Sequence, residues 1–130
     1  MRRRSAATRS NSEWRTSRRT KETVIRFCNA LIQSDIATLH ELGREDYIQH
    51  SPFFETGLQG LEKMIRSRPP WPGGKPPPLE FVRVIAEGDF VMTLRRILPP
   101  PERGLPPEKE MANVDVFRVQ DGKVAEHWDY

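Results

Sequence analysis

Apolar residues fall along this chain in two different rhythms. From residue 20 to residue 67 they recur at helical intervals. Val24, Phe27, Cys28 and Leu31 stand at i, i+3, i+4 and i+7, the stripe of an amphipathic helix, and predict helix over residues 20–33. Thr20 and Thr23 make no full capping box, so the start of this helix is loosely defined. Ser34 or Asp35 can cap a second helix, residues 35–42, with Ile36, Leu39 and Leu42 on one face and Gly43 placed to end it. Leu58, Leu61, Met64 and Ile65 predict a third over residues 58–67, which Pro69 stops. Residues 46–50 are short and mixed in character.

After residue 79 the rhythm becomes period two. Residues 79–86 and 90–98 are rich in Val, Ile and Phe around Glu87-Gly88-Asp89, a hairpin pattern. Residues 113–130 repeat it around Gln120-Asp121-Gly122. Two proline-rich stretches, residues 69–78 and 99–107, cannot be central strands and are expected as loops at the rim of a sheet. Helices followed by a meander of strands predict an α+β domain, with the helices on one side of an antiparallel sheet over residues 79–130.

The closing hairpin gathers the candidate chemistry. With a three-residue turn, Val119 faces Lys123, Asp115 lies opposite His127, and Asn113 lies opposite Asp129. Cross-strand partners share a sheet face, so four polar or titratable side chains meet on one patch. A two-residue turn shifts the pairing by one and breaks the cluster. The other face then carries Val114, Val116, Val124 and Trp128, an apolar strip expected to be covered by a second copy of the chain.

Composition narrows the class. A chain of 130 residues suits one domain with its own core. The single cysteine, Cys28, excludes an intrachain disulfide and a thiolate metal cluster, and sits on the buried helix stripe as a core residue. A cytoplasmic location is expected. No apolar run has the length of a membrane span. The net charge of +3 hides a strong polarity. Residues 1–21 hold eight Lys and Arg against Glu13, whereas the remainder carries a net −4. Residues 1–19 are therefore expected as a disordered basic arm, with the domain proper over residues 20–130. Such an arm suits an anionic surface or nucleic acid, and also resembles an Arg- and Ser-rich transit peptide. For the protein as a whole, neither nucleic acid nor membrane is expected as a partner.

Several short motifs occur in order: Tyr47-Ile48-Gln49-His50-Ser51-Pro52, Gly57, Gly60-Leu61, Glu87-Gly88-Asp89, Val114 to Arg118, and Asp121-Gly122-Lys123-Val124-Ala125-Glu126-His127-Trp128-Asp129. Over about residues 20–130 this arrangement resembles the SnoaL-like polyketide-cyclase family of the nuclear-transport-factor-2-like superfamily. The resemblance implies a cone-shaped curved antiparallel sheet wrapped by about three helices, and a homodimer. It also implies a pocket used for acid–base chemistry on small carbonyl compounds without metal or organic cofactor. By the same resemblance Gln49 and His50 lie near the pocket mouth. A related branch, the limonene-epoxide-hydrolase-like enzymes, uses an Arg-x-Asp pair with a second Asp; here Asn113 stands where the Arg would be, so that triad is incomplete.

Taken together, Asp129, His127 and Asp115 are the candidate catalytic residues, and His50, Gln49, Tyr47 and Asn113 the candidate substrate-binding residues. Burial in an apolar cone tunes a carboxylate toward a base useful near neutrality. Asp115 opposite His127 can fix the imidazole tautomer and support its protonated form. His50, His127 and the two aspartates have no tight metal-ligand spacing, and no metal or cofactor is expected. Trp71 either anchors its proline loop or covers the cone, and Trp128 is expected to pack rather than bind substrate. The expected function is cofactor-independent acid–base chemistry, of aldol, isomerase or hydrolase type, on a hydrophobic carbonyl-like molecule. Epoxide-hydrolase-like water activation and a non-catalytic ligand-binding or interaction module are the alternatives.

Overall fold

The computed structural model describes residues 10–76, 79–97 and 111–129. Three α-helices, α1 (Asn11–Gln33), α2 (Ile36–Leu42) and α3 (Leu58–Ser67), are followed in the chain by most of a five-stranded sheet. Its strands are β1 (Gly43–Gln49), β2 (Glu80–Glu87), β3 (Phe90–Ile97), β4 (Met111–Gln120) and β5 (Lys123–Asp129). They lie in the order β1-β5-β4-β3-β2. The pairs β2–β3, β3–β4 and β4–β5 are antiparallel, as the period-two segments predict. β1 runs parallel to β5, so the sheet is mixed rather than wholly antiparallel. The expected α+β architecture, three helices against a curved sheet, is the one observed.

β1 escaped the period-two pattern for a physical reason. Its first half reads Gly43-Arg44-Glu45-Asp46, and the pairing register slips between Gly43 and Ile48. An edge strand with a bulge and charged residues has no clean alternation to read. Gly43 itself joins α2 to β1 with no room for a side chain, since a Cβ there would meet Leu58 and the Leu39 carbonyl.

The start of α1 is the second departure. It begins at Asn11, about two and a half turns before residue 20, so residues 11–19 of the expected disordered arm are helical. The signal lies in Ser10 and Glu13: the Ser10 hydroxyl accepts from the Glu13 N–H, and the Glu13 carboxylate accepts from the Ser10 N–H. This reciprocal box satisfies two otherwise orphan donors. Residues 1–9, 77–78, 98–110 and Tyr130 lie outside the described residues, and with them the whole second proline-rich stretch expected as a rim loop.

The core forms where the helix stripes meet the inner sheet face. Val24 and Phe27 of α1, Leu39 of α2 and Leu58 and Leu61 of α3 pack with Tyr47, Val91, Phe117 and Val124. Among the described residues no layer covers the outer sheet face, and Ile85 and Phe90 are 49% and 46% exposed there. No helix among the described residues is long and apolar enough to cross a membrane.

The side chains of residues 11–16 are all exposed. Deleting residues 1–15 should therefore lower the melting temperature by less than the roughly 4 °C that 1 kcal/mol represents in a domain of this size. Thermal unfolding of the truncated chain checks this; a larger loss would mean that the basic segment packs on the body.

Candidate functional site

The geometry of the closing hairpin rests on two compensating features. Asp121 and Gly122 have φ of 52° and 75°, and Gln120 pairs with Lys123, so the turn has two residues, not three. Positive φ at both central positions matches the twist of the flanking strands. Taken alone, this turn would put Trp128 on the face of Asp115. The register slips once more, however: Val119 pairs with Val124 and Arg118 with Glu126, leaving Ala125 as an extra residue in β5. This bulge restores the lost parity. Phe117 faces His127 and Asp115 faces Asp129, so the direct partners differ from those expected while the shared face survives. The tight turn itself pairs Val124 with inward-facing Val119, so Val124 is wholly buried and is not part of the outer strip.

Asp115 is the centre of the patch. Its Oδ1 lies 2.8 Å from His127 Nε2. Its Oδ2 accepts from Asn113 Nδ2 at 2.7 Å and from Arg95 Nη2 and Nε at 3.0 and 3.2 Å. Asn113 and Arg95 are cross-strand neighbours on β4 and β3, which is why both reach the same oxygen. Burial pushes the Asp115 carboxyl up, but the His127 hydrogen bond and the Arg95 guanidinium outweigh it and hold the group below the usual carboxylate range.

The other side of His127 is equally constrained. Its Nδ1 lies 2.7 Å from Gln49 Oε1, and the Ser51 N–H donates to the same oxygen at 3.1 Å. A backbone N–H can only donate, so the Gln49 oxygen must face this way, and its amide nitrogen donates to the Tyr47 hydroxyl at 3.2 Å. His127 thus has an acceptor at each nitrogen. The ring lies tilted by 32° against that of Phe117, 4.7 Å between centroids. Burial pushes the Tyr47 phenol far above its ordinary range, so it remains a donor.

These groups line a cavity of about 250 Å³ between the helices and the inner sheet face. Tyr47, Gln49, Asn113, Asp115, His127 and Asp129 all contribute to its wall, as the sequence suggests. His50 does not. Gln49 pairs with His127 inside, so the next residue projects to the opposite face. There His50 stacks on Trp128 at 4.7 Å and lies 3.4 Å from Glu126. The two histidines therefore stand on opposite sides of the sheet and cannot share a ligand. Cys28 reaches the wall, but burial pushes its thiol up to about 12, which leaves it no thiolate character. Trp71 anchors its loop: its Nε1 donates to the Ile32 carbonyl at 3.2 Å.

Arg95 and Arg68 are the charged wall residues that the pattern of motifs did not single out. Arg95 sits at an inward position of a strand that reads as ordinary hairpin; only pairing with β4 places it beside Asp115. Asp129 differs from Asp115 in being uncommitted. Among the described residues its carboxylate has no hydrogen bond or ion pair, although it lies directly across from Asp115.

Removing the Asp115 charge should leave the Arg95 guanidinium half-buried without its partner. Breaking a buried pair on one side costs about 3–5 kcal/mol, and Asp115→Asn should lose stability on that order at pH 7. Because folding lowers the Asp115 pKa, its contribution is complete above about pH 4 and is lost as pH falls through the lowered value. Urea unfolding of both proteins at pH 7 and near pH 3 should show the gap narrowing in acid; a gap independent of pH would contradict the assignment.

Comparison with known proteins gives the frame for this site. A protein-family model described as a SnoaL-like domain matches residues 24–127. Among solved structures, an epoxide hydrolase of M. tuberculosis resembling limonene epoxide hydrolase aligns with TM-score 0.62 at 21% identity, covering 88% of this chain and 84% of its own. A candidate polyketide cyclase from Bacillus cereus aligns with TM-score 0.65 at 16% identity, covering 86% and 73%. A candidate ketosteroid isomerase from Kribbella flavida aligns with TM-score 0.64 at 16% identity, covering 87% and 77%. At these identities the structures share a fold with this chain. No curated protein matches it. The family match spans most of the domain, from Val24 of α1 to the imidazole of the site, and the chain belongs to the SnoaL-like domain family.

Proposed function

We propose that the cavity is the active site of a cofactor-independent enzyme that moves a proton on a small hydrophobic carbonyl compound, with Asp129 as the general base. The observation that carries this reading is the division of labour between the two carboxylates. Both oxygens of Asp115 are taken by Arg95, Asn113 and His127, while Asp129 presents an unpaired carboxylate to the same cavity. Asp129 takes the proton from the carbon beside the carbonyl, and the electron pair moves onto the carbonyl oxygen as an enolate. The Tyr47 hydroxyl and the second N–H of the Asn113 amide are the donors suited to that oxygen. His127 is a positioning residue, since both of its nitrogens are engaged; it holds Gln49, and through it Tyr47. Return of the proton to a different carbon gives isomerisation, and attack of the enolate on a second carbonyl gives ring closure.

Deuterium exchange tests this without knowledge of the natural substrate. The protein should accelerate exchange of the proton beside the carbonyl in small hydrophobic ketones in D2O, followed by NMR. Asp129→Asn should reduce that rate about a hundred- to ten-thousand-fold while leaving the fold intact. An unchanged rate would remove Asp129 from the role, and no acceleration with any ketone would favour a binding module on the same fold.

One observation favours a second reading, water activation and epoxide opening. Arg95 crosses from β3 to pair with Asp115, which supplies from a neighbouring strand the arginine–aspartate pair that Asn113 leaves incomplete along β4. Turnover of hydrophobic epoxides but not ketone exchange would select it.

The reading includes a homodimer through the outer sheet face. Ile85, Phe90 and Met92 are exposed there beside Val114, Val116 and Trp128, an apolar strip larger than isolated surface residues make. Sedimentation at micromolar concentration should give about twice the 15.1 kDa chain mass, and Met92→Glu should shift it toward the monomer. A monomer in the unmodified protein would overturn this.

A further inference from the structure

Arg68 lines the same cavity and takes no part in the proton transfer. It is the C-cap of α3, held extended at φ −69° and ψ 136° by the proline that follows. From there its side chain crosses to the C-terminal end of α1. Nη2 donates to the Leu31 carbonyl at 2.9 Å and to Ser34 Oγ at 2.8 Å, with Ile32 O at 3.5 Å. The guanidinium lies 5.0 Å from the centre of the Trp71 ring, and Trp71 is itself bonded to the Ile32 carbonyl. A long cationic side chain is thus fixed in place before any ligand arrives.

Its charge is not matched. Arg95, the other arginine of the wall, is paired with Asp115, whereas among the described residues no carboxylate lies within ion-pairing distance of Arg68. The last turn of α1 carries no basic residue, and its carbonyl end supplies about half a negative charge. That is a partial counter-charge, and Nε and Nη1 of Arg68 have no hydrogen-bond partner among the described residues. Around it the helix side of the cavity is apolar, formed by Leu31, Ile32, Phe54 and Met64. The acid–base groups stand on the sheet side.

We propose that the cavity takes a hydrophobic compound bearing a carboxylate, which Arg68 binds on the helix side while the reacting carbonyl lies against the sheet. This rests on the acid–base reading of Asp129 for the second half of the statement; the carboxylate subsite stands on Arg68 alone. A planar guanidinium with free N–H groups recognises a carboxylate through paired charge-assisted hydrogen bonds. An apolar surround strengthens them by excluding water.

The test compares naphthalene-2-carboxylate with its methyl ester, by calorimetric titration at low salt. The two probes share shape and apolar area and differ in the charge. The acid should bind the unmodified protein about tenfold more tightly, the order expected for one hydrogen-bonded charge. Arg68→Gln should abolish that preference while leaving ester affinity unchanged, which also reports that the cavity is still formed. Arg68→Lys should retain part of the preference, and raising the salt should erode it in the unmodified protein; these two measurements stand if the Gln variant fails to fold. Asp129→Asn should keep the preference, so loss of ketone exchange in that variant speaks to the acid–base reading only. Equal affinity for acid and ester, no binding of either at millimolar concentration, or an acid preference that survives Arg68→Gln would each overturn the proposal.

Discussion

A carboxylate buried inside a sheet must be compensated where it stands, and Asp115 draws its compensation from most of the fold. β3 supplies Arg95, β4 itself supplies Asn113, and β5 supplies His127. Gln49 of β1 then closes the far side of His127, and Tyr47 closes the far side of Gln49. Four of the five strands are therefore held in register by one chain of hydrogen bonds, on top of their ladders. Removing any single member leaves a desolvated partner behind, which is why such a network is costly to break although each bond is modest. The same closure underlies the proposed chemistry. Groups that satisfy one another are positioned, and the carboxylate outside the network, Asp129, is the one proposed as the base.

Whether that carboxylate faces the cavity depends on one residue. The tight Asp121-Gly122 turn and the extra Ala125 each change the parity of the last strand, and together they cancel. Inward, the result is His127 on Phe117 with Asp129 across from Asp115; outward, it is Trp128 between His50 and Phe90. The inner face thereby carries the polar cluster and the outer face the aromatic one. A bulge next to a functional side chain is a common way to re-aim it without altering the strands on either side.

The helices contribute more than a cover. The C-terminal end of α1 needs donors for its last carbonyls, and it finds them in Arg68 and Trp71 from the segment after α3. This cap ties the first proline-rich loop to the cavity rim. It also brings a cation to a wall that is otherwise apolar on that side, so a side chain that caps the helix is also part of the cavity lining.

The three helix stripes, the two hairpins and the α+β architecture were legible from spacing alone, because burial of a continuous face imposes period 3.6 or 2 on whatever residues occupy it. The Ser10–Glu13 box was legible too, although attention to the apolar stripe places the helix start later. Tyr47, Gln49, Asn113, Asp115, His127 and Asp129 were recognisable as a set. Their pairing was not, since turn length and bulge combine to set register and neither is written in the alternation itself. His50 carries no local mark of its face, which follows from how β1 lies on β5. Arg95 and Arg68 look like ordinary charges in one dimension; only the approach of β3 to β4, and of the α3 end to the α1 end, gives them partners. The sequence by itself determined which faces had to be buried and which residue types the site would hold. The tertiary structure alone decided who meets whom, because contacts between distant segments depend on register, parity and helix ends that no local pattern encodes.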